Sequence, residues 1–132
     1  MKIRKANIND IKVIHKLVNE FARKGQMIPR ALNDLYENIR DLSVCEDGGE
    51  IKGVCALHVL WEDLAEVRSL AVRTDAQSAG IGRKLVSVCL KEAKALGIAR
   101  VFALTYQDAF FKKIGFREID NQSCRRRYGE SA

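Results

Sequence analysis

Gln77-Ser78-Ala79-Gly80-Ile81-Gly82, followed by Arg83-Lys84-Leu85, is the stretch on which the reading of this chain turns. Residues 74–79 are polar and loop-like. Gly80-Ile81-Gly82 then opens a long helix whose buried face carries Leu85, Cys89, Ala93 and Leu96 before Gly97 ends it. Amides at the start of such a helix have no intrahelical acceptor, which makes the position an anion site. Glycines at 80 and 82 let a pyrophosphate approach the backbone, and Arg83 and Lys84 add positive charge beside it. The same glycines also suit a plain tight turn with close helix packing, and the spacing matches neither G-x-x-x-x-G-K-[ST] nor G-x-G-x-x-G. On these residues alone both readings stay open.

Outward from the loop, residues 65–72 and 100–104 read as strands. Joined by the helix they form a β-loop-α-β unit with two parallel neighbours. Toward the N-terminus, a strand at 2–5 precedes a helix capped by Asn7 or Asp10, in which Ile11, Ile14, Leu17, Val18 and Phe21 recur at helical spacing and which Gly25 ends. Pro29 opens a second, shorter helix with Leu32, Leu35, Tyr36 and Ile39 as its apolar stripe. Strands at 42–46 and 51–60, joined through Gly48-Gly49, make an antiparallel meander with 65–72. Beyond the unit come a short helix at 108–114 and a strand at 116–120. The expectation is one domain over residues 1–132, of α/β (α+β) class. Its mixed, mostly antiparallel sheet has six or seven strands, helices on both faces and the β-loop-α-β unit at its centre.

At 132 residues with 47% apolar and 30% charged side chains, the chain has the make-up of a globular domain. The net charge of +6 is spread along it apart from Arg125-Arg126-Arg127. A distributed excess suits small anionic ligands, and no aromatic stacking pattern speaks for nucleic acid. The longest uncharged apolar stretch, residues 53–61, falls far short of the roughly 20 residues of a membrane span. Met1-Lys2-Ile3-Arg4-Lys5 lacks the apolar core of a signal peptide, so a cytoplasmic location is expected. Cys45, Cys55, Cys89 and Cys124 show no Cys-x-x-Cys spacing and are expected as buried, reduced thiols. His15 and His58 have no thiol or carboxylate at ligand spacing, so no metal is expected.

Four segments in order, Glu66-Val67-Arg68-Ser69-Leu70-Ala71-Val72, Gln77-x-x-Gly80-x-Gly82, Val101-Phe102-Ala103-Leu104 and Phe110-Phe111-Lys112-Lys113-Ile114-Gly115-Phe116, resemble the consecutive motifs of the GCN5-related N-acetyltransferase (GNAT) superfamily. The likeness runs through Asp120. Within that superfamily the chain is most similar to the short bacterial N-acetylglutamate synthases, on Ile28-Pro29-Arg30, Leu35-Tyr36-Glu37-Asn38-Ile39-Arg40 and Val101-Phe102-Ala103-Leu104-Thr105-Tyr106. The resemblance implies acetyl-CoA as donor and the α-amino group of L-glutamate as acceptor, in arginine biosynthesis. It implies that Leu70, Ala71 and Val72 contact the donor's pantetheine arm and that residues Gln77, Ser78, Ala79, Gly80, Ile81, Gly82, Arg83 and Lys84 hold its pyrophosphate. Glu66 takes the position of the general base.

Many superfamily members use a Tyr on the short helix as acid, but the matching residue here is Phe111, so Tyr106 is the replacement candidate, backed by Thr105 or a water. For the two carboxylates of the acceptor, Arg30 and Arg68 are the candidate partners, with Thr105 beside them; Arg68 shares a strand face with Glu66. After Asp120 the sequence departs from the synthases. The last strand is therefore expected to be short or missing, and a homodimer to supply the edge. Two other readings stay open: another small-molecule or peptide amine as acceptor, and a non-catalytic acetyl-CoA-binding module, favoured by Phe111 and the tail.

Overall fold

A computed structural model describes residues 1–120 and 126–131 of the chain. Cys124 and Arg125, counted above among the thiols and the basic cluster, lie outside the described residues. The strands are β1 (Lys2–Lys5), β2 (Leu42–Asp47), β3 (Glu50–Trp61), β4 (Leu64–Val72), β5 (Arg100–Thr105), β6 (Arg117–Asp120) and β7 (Arg126–Ser131), and the helices are α1 (Ile11–Arg23), α2 (Leu32–Glu37), α3 (Ile81–Leu96) and α4 (Asp108–Lys113). They form one seven-stranded sheet in the order β1-β2-β3-β4-β5-β7-β6. Among the described residues only β4 and β5 run parallel, as the helical crossover between them requires.

Each face of the sheet carries its own core. Ile11, Ile14, Leu17, Val18 and Phe21 of α1 and Leu35 of α2 pack on Val44, Val54, Ala56 and Ala71. Leu85, Val86, Cys89 and Ala93 of α3, with Phe111 and Phe116, pack on Cys45, Cys55, Leu57, Val67, Val101 and Ala103. Alternation along β3 and β4 feeds both, which is why Val54 and Cys55 belong to opposite cores. Cys45, Cys55 and Cys89 are buried free thiols. Among the described residues no helix is long and apolar enough to cross a membrane.

Four local expectations need correction. Asn7 caps a 3-10 turn at Ile8–Asp10, accepting the Asn9 amide at 3.0 Å; Asp10 does not cap α1 but accepts the Asn7 amide at 2.8 Å and the Arg4 guanidinium. Pro29 does not open α2, which starts at Leu32. The reason lies on α1: the Asn19 side chain accepts the Arg30 amide at 3.2 Å and donates to the Arg30 carbonyl at 3.0 Å, committing Arg30's backbone groups before a helix can claim them.

Leu96 is 60% exposed rather than buried, because the chain reverses at Gly97 with the Ile98 amide on the Ala93 carbonyl, so that Ile98 covers the core instead. The tail, finally, forms β7 between β5 and β6, pairing with every β5 residue from Arg100↔Ser131 to Thr105↔Arg126. Main-chain pairing on both sides holds a strand that its side chains do not announce. The missing edge on which a homodimer was expected is thus filled within the chain.

Candidate active site

The β4–β5 ladder has only three rungs, Leu64↔Arg100, Ala65↔Val101 and Glu66↔Phe102. Past Glu66 the two strands separate, and β5 keeps only its β7 partner. At the same level β4 bulges: Val54 faces Ala71 while Ala56 faces Arg68, so β4 carries one residue more than β3. Ser69 sits in that bulge at φ 58°, the one non-glycine positive φ among the described residues. Parallel pairing and bulge together open the sheet between Val67 and Val72.

Three cavities follow that opening along β4. A groove of about 720 Å³ is lined by Leu70, Ala71 and Val72, by Gln77, Ser78, Gly80, Gly82 and Arg83 at the start of α3, and by Tyr106, Phe110 and Lys113. It shares Gln26, Leu70, Tyr106 and Gln107 with a recess of about 40 Å³ that adds Val67, Arg68, Ser69, Thr105 and Phe111. The recess in turn shares Arg68 and Ser69 with a pocket of about 10 Å³ that holds Arg30, Asp34, Asn38 and Asp41.

At the wide end, Gly80 stands at φ 75° as the residue before α3, a conformation that side chains resist. Gly82 answers a different need: a Cβ there would meet the Phe110 ring at 3.3 Å, so the glycine lets α4 close on α3. The amides that open α3 have no acceptor inside the helix, and Arg83 and Lys113 bring charge to the same groove. Gln77 donates to the Val72 carbonyl at 3.1 Å, tying the turn to β4.

Most of the residues expected around a donor therefore gather here. Ala79, Ile81 and Lys84 do not line the groove; Ile81 is 2% exposed and belongs to the core. Phe110, Lys113, Gln26 and Gln107 line it without having been foreseen, since they come from α4 and from loops far off in sequence.

At the narrow end, Arg30 and Arg68 line one small pocket together with Asp34 and Asp41. Arg68 Nη1 is 3.8 Å from Glu66 Oε1, so the two do share a strand face. Glu66 is 7% exposed and stands at the last parallel rung, just outside the lining of the three cavities. Tyr106 is 47% exposed and borders both groove and recess, whereas Phe111 is a core ring edge-on to Phe110 and Phe116. Thr105 lines the recess and its hydroxyl accepts the Gln107 amide at 2.8 Å. One group was missed: His58, read as a lone histidine, has Nδ1 2.6 Å from Asp41 Oδ2 and is the cross-strand neighbour of Glu66.

Residues 12–116 match the model of the Acetyltransferase (GNAT) family. An amino-acid acetyltransferase of Mycobacterium tuberculosis is 38% identical over 121 residues, which are 89% of this chain and 69% of that protein. An uncharacterized N-acetyltransferase of Chlorobaculum tepidum is 35% identical, over 91% of this chain and 77% of its own length. Among solved structures, Rv2747 from Mycobacterium tuberculosis in complex with CoA and NLQ superposes with a TM-score of 0.92 at 28% identity, over 100% of this chain and 99% of that one. N-acetylglutamate synthase from Neisseria gonorrhoeae, complexed with coenzyme A and N-acetyl-glutamate, gives 0.93 at 26% identity, with 98% of this chain covering 34% of that one.

Proposed function

The chain belongs to the Acetyltransferase (GNAT) family and is an acetyl-CoA-dependent N-acetyltransferase, and we propose that its acceptor is the α-amino group of an amino acid, L-glutamate. The observation that carries this reading is the opening of the sheet beside β4, where a groove at the start of α3, a recess, and a small pocket lined by Arg30 and Arg68 share lining residues in turn. The names of the similar proteins support it.

The residues present fit the donor. The opening amides of α3, with Arg83 and Lys113, hold the pyrophosphate, and Leu70, Ala71 and Val72 offer main-chain groups to the pantetheine where β5 has left them. The donor supplies an activated acetyl thioester. Arg30 and Arg68 take the acceptor's carboxylates, with Thr105 beside them. Glu66, acting through a water because it stands just outside the recess, removes a proton from the ammonium so that the nitrogen can attack.

The Leu70 N–H, next to the Ser69 bulge, donates to the oxygen that gains charge. Tyr106, at the junction of groove and recess, protonates the departing sulfur. Over one turnover the N–C bond forms, the C–S bond breaks, and one proton leaves to solvent.

Release of CoA thiol measured over a panel of amino acids and amines tests the reading. Turnover is expected with L-glutamate, and R30A and R68A each raise the KM for it by roughly 10-fold to 100-fold, the worth of a lost charged hydrogen bond. Turnover on lysine or polyamines but not on acidic amino acids overturns the acceptor. CoA binding without turnover on any acceptor overturns the catalytic reading.

A further inference from the structure

We propose that the His58–Asp41 pair is the proton exit of this enzyme, carrying to solvent the proton that Glu66 takes from the acceptor ammonium; the proposal rests on the reading of Glu66 as the base. The need for an exit follows from the balance of the reaction. The acceptor enters as an ammonium and leaves as a neutral amide, and the sulfur leaves protonated, so each cycle must shed one proton. A carboxylic acid formed at Glu66 is poorly placed to lose it directly, since its side chain is only 10% exposed and stands on the last rung of the β4–β5 ladder.

His58 stands opposite Glu66 on β3, on the same face of the sheet. Cβ atoms of such cross-strand pairs lie about 5 Å apart, within the span of one bridging water. Its Nδ1 is held 2.6 Å from Asp41 Oδ2, which fixes the tautomer: Nδ1–H donates to the carboxylate and Nε2 of the neutral ring is the acceptor. Asp41 is itself fixed, its amide donating to the Asn38 carbonyl at 2.9 Å in the turn that leads into β2.

His58 and Asp41 side chains are 26% and 23% exposed, so the pair is more open to solvent than Glu66. The charged groups that face the ring are Asp41 and, across the ladder, Glu66; Asp41 also lines the small pocket with Arg30, Asp34 and Arg68. A proton moves from Glu66 through water to Nε2, the imidazolium is steadied by Asp41, and Nε2 releases it outward. His58 touches no reactant; it acts through Glu66.

The test is H58Q, D41N and E66Q in the full chain, assayed by CoA thiol release with acetyl-CoA and L-glutamate across pH. H58Q is expected to lower kcat about 10-fold or more with both KM values within about twofold. It should also flatten the acidic limb of the kcat profile and regain part of the rate with added free imidazole. D41N, which removes the carboxylate that orients the ring, is expected to lower kcat toward the H58Q value.

A wild-type kcat and pH profile in H58Q beside an inactive E66Q overturns the exit. So does a loss of rate that leaves the acidic limb in place and does not respond to imidazole. Wild-type turnover by E66Q overturns the base assignment instead. Should H58Q fail to fold, a wild-type kcat in D41N decides against the pair.

Discussion

Asp10 shows how much one side chain can settle. It is 7% exposed, takes Arg4 in a two-point contact at 2.7 and 3.1 Å, and accepts the Asn7 amide, tying β1 to the start of α1. The Arg4 hydrogen bond, more than any other cause, holds its carboxyl below the ordinary carboxylate range against the opposing effect of burial. A depressed folded-state value means that the carboxylate's contribution is complete above about pH 4 and is lost as the pH falls through that lower value. D10N should therefore cost about 2 kcal/mol at neutral pH and much less in strong acid, read by urea unfolding at both. An equal cost at both would refute it.

Residues of this kind were only partly legible beforehand. Asp10 reads in the sequence as a cap of α1, whereas its side chain is taken by Arg4, a residue of another element, and by the Asn7 amide. Asp41 and His58 are 17 positions apart and meet only because β2 pairs with β3.

Elements carry the next set of consequences. The stripe of α1 and the Gly48-Gly49 hairpin were plain in the sequence because local periodicity and turn chemistry determine them. The start of α2 was not, since Asn19, a residue of another helix, overrides Pro29. The bulge at Ser69 was hidden for a related reason: no glycine marks it, and the surrounding sheet imposes the positive φ.

Where α3 meets α4, G82A places a methyl group about 3.3 Å from the Phe110 ring, which must shift into the groove. We expect the KM for acetyl-CoA to rise several-fold while the melting temperature hardly changes, because alanine favours the helix by roughly 1 kcal/mol. At the other end, N19A frees the Arg30 backbone. The KM for the amino acid should rise and that for acetyl-CoA should stay within about twofold, and a uniform rise in both would refute the clamp.

The whole molecule is a sheet with a helical layer on each side, and most of its order was readable from alternation and from the β-loop-α-β unit. β7 was the exception, since the segment from Arg126 onward offers little apolar alternation and its place depends on main-chain groups of two other strands. Ending the chain before Arg126 removes the strand that, among the described residues, alone pairs with β5 beyond Phe102 and with β6. Such a truncation should lower the melting temperature by about 10 °C or more, or abolish folding, by calorimetry.

The same arrangement sets the order in which the protein can be made. Every element of both cores precedes in the chain the strand that fits between β5 and β6, so until that strand is in place the sheet presents an open edge that invites other chains to pair with it. Folding intermediates in which β7 has not yet docked should then appear as aggregates of an otherwise well-packed polypeptide.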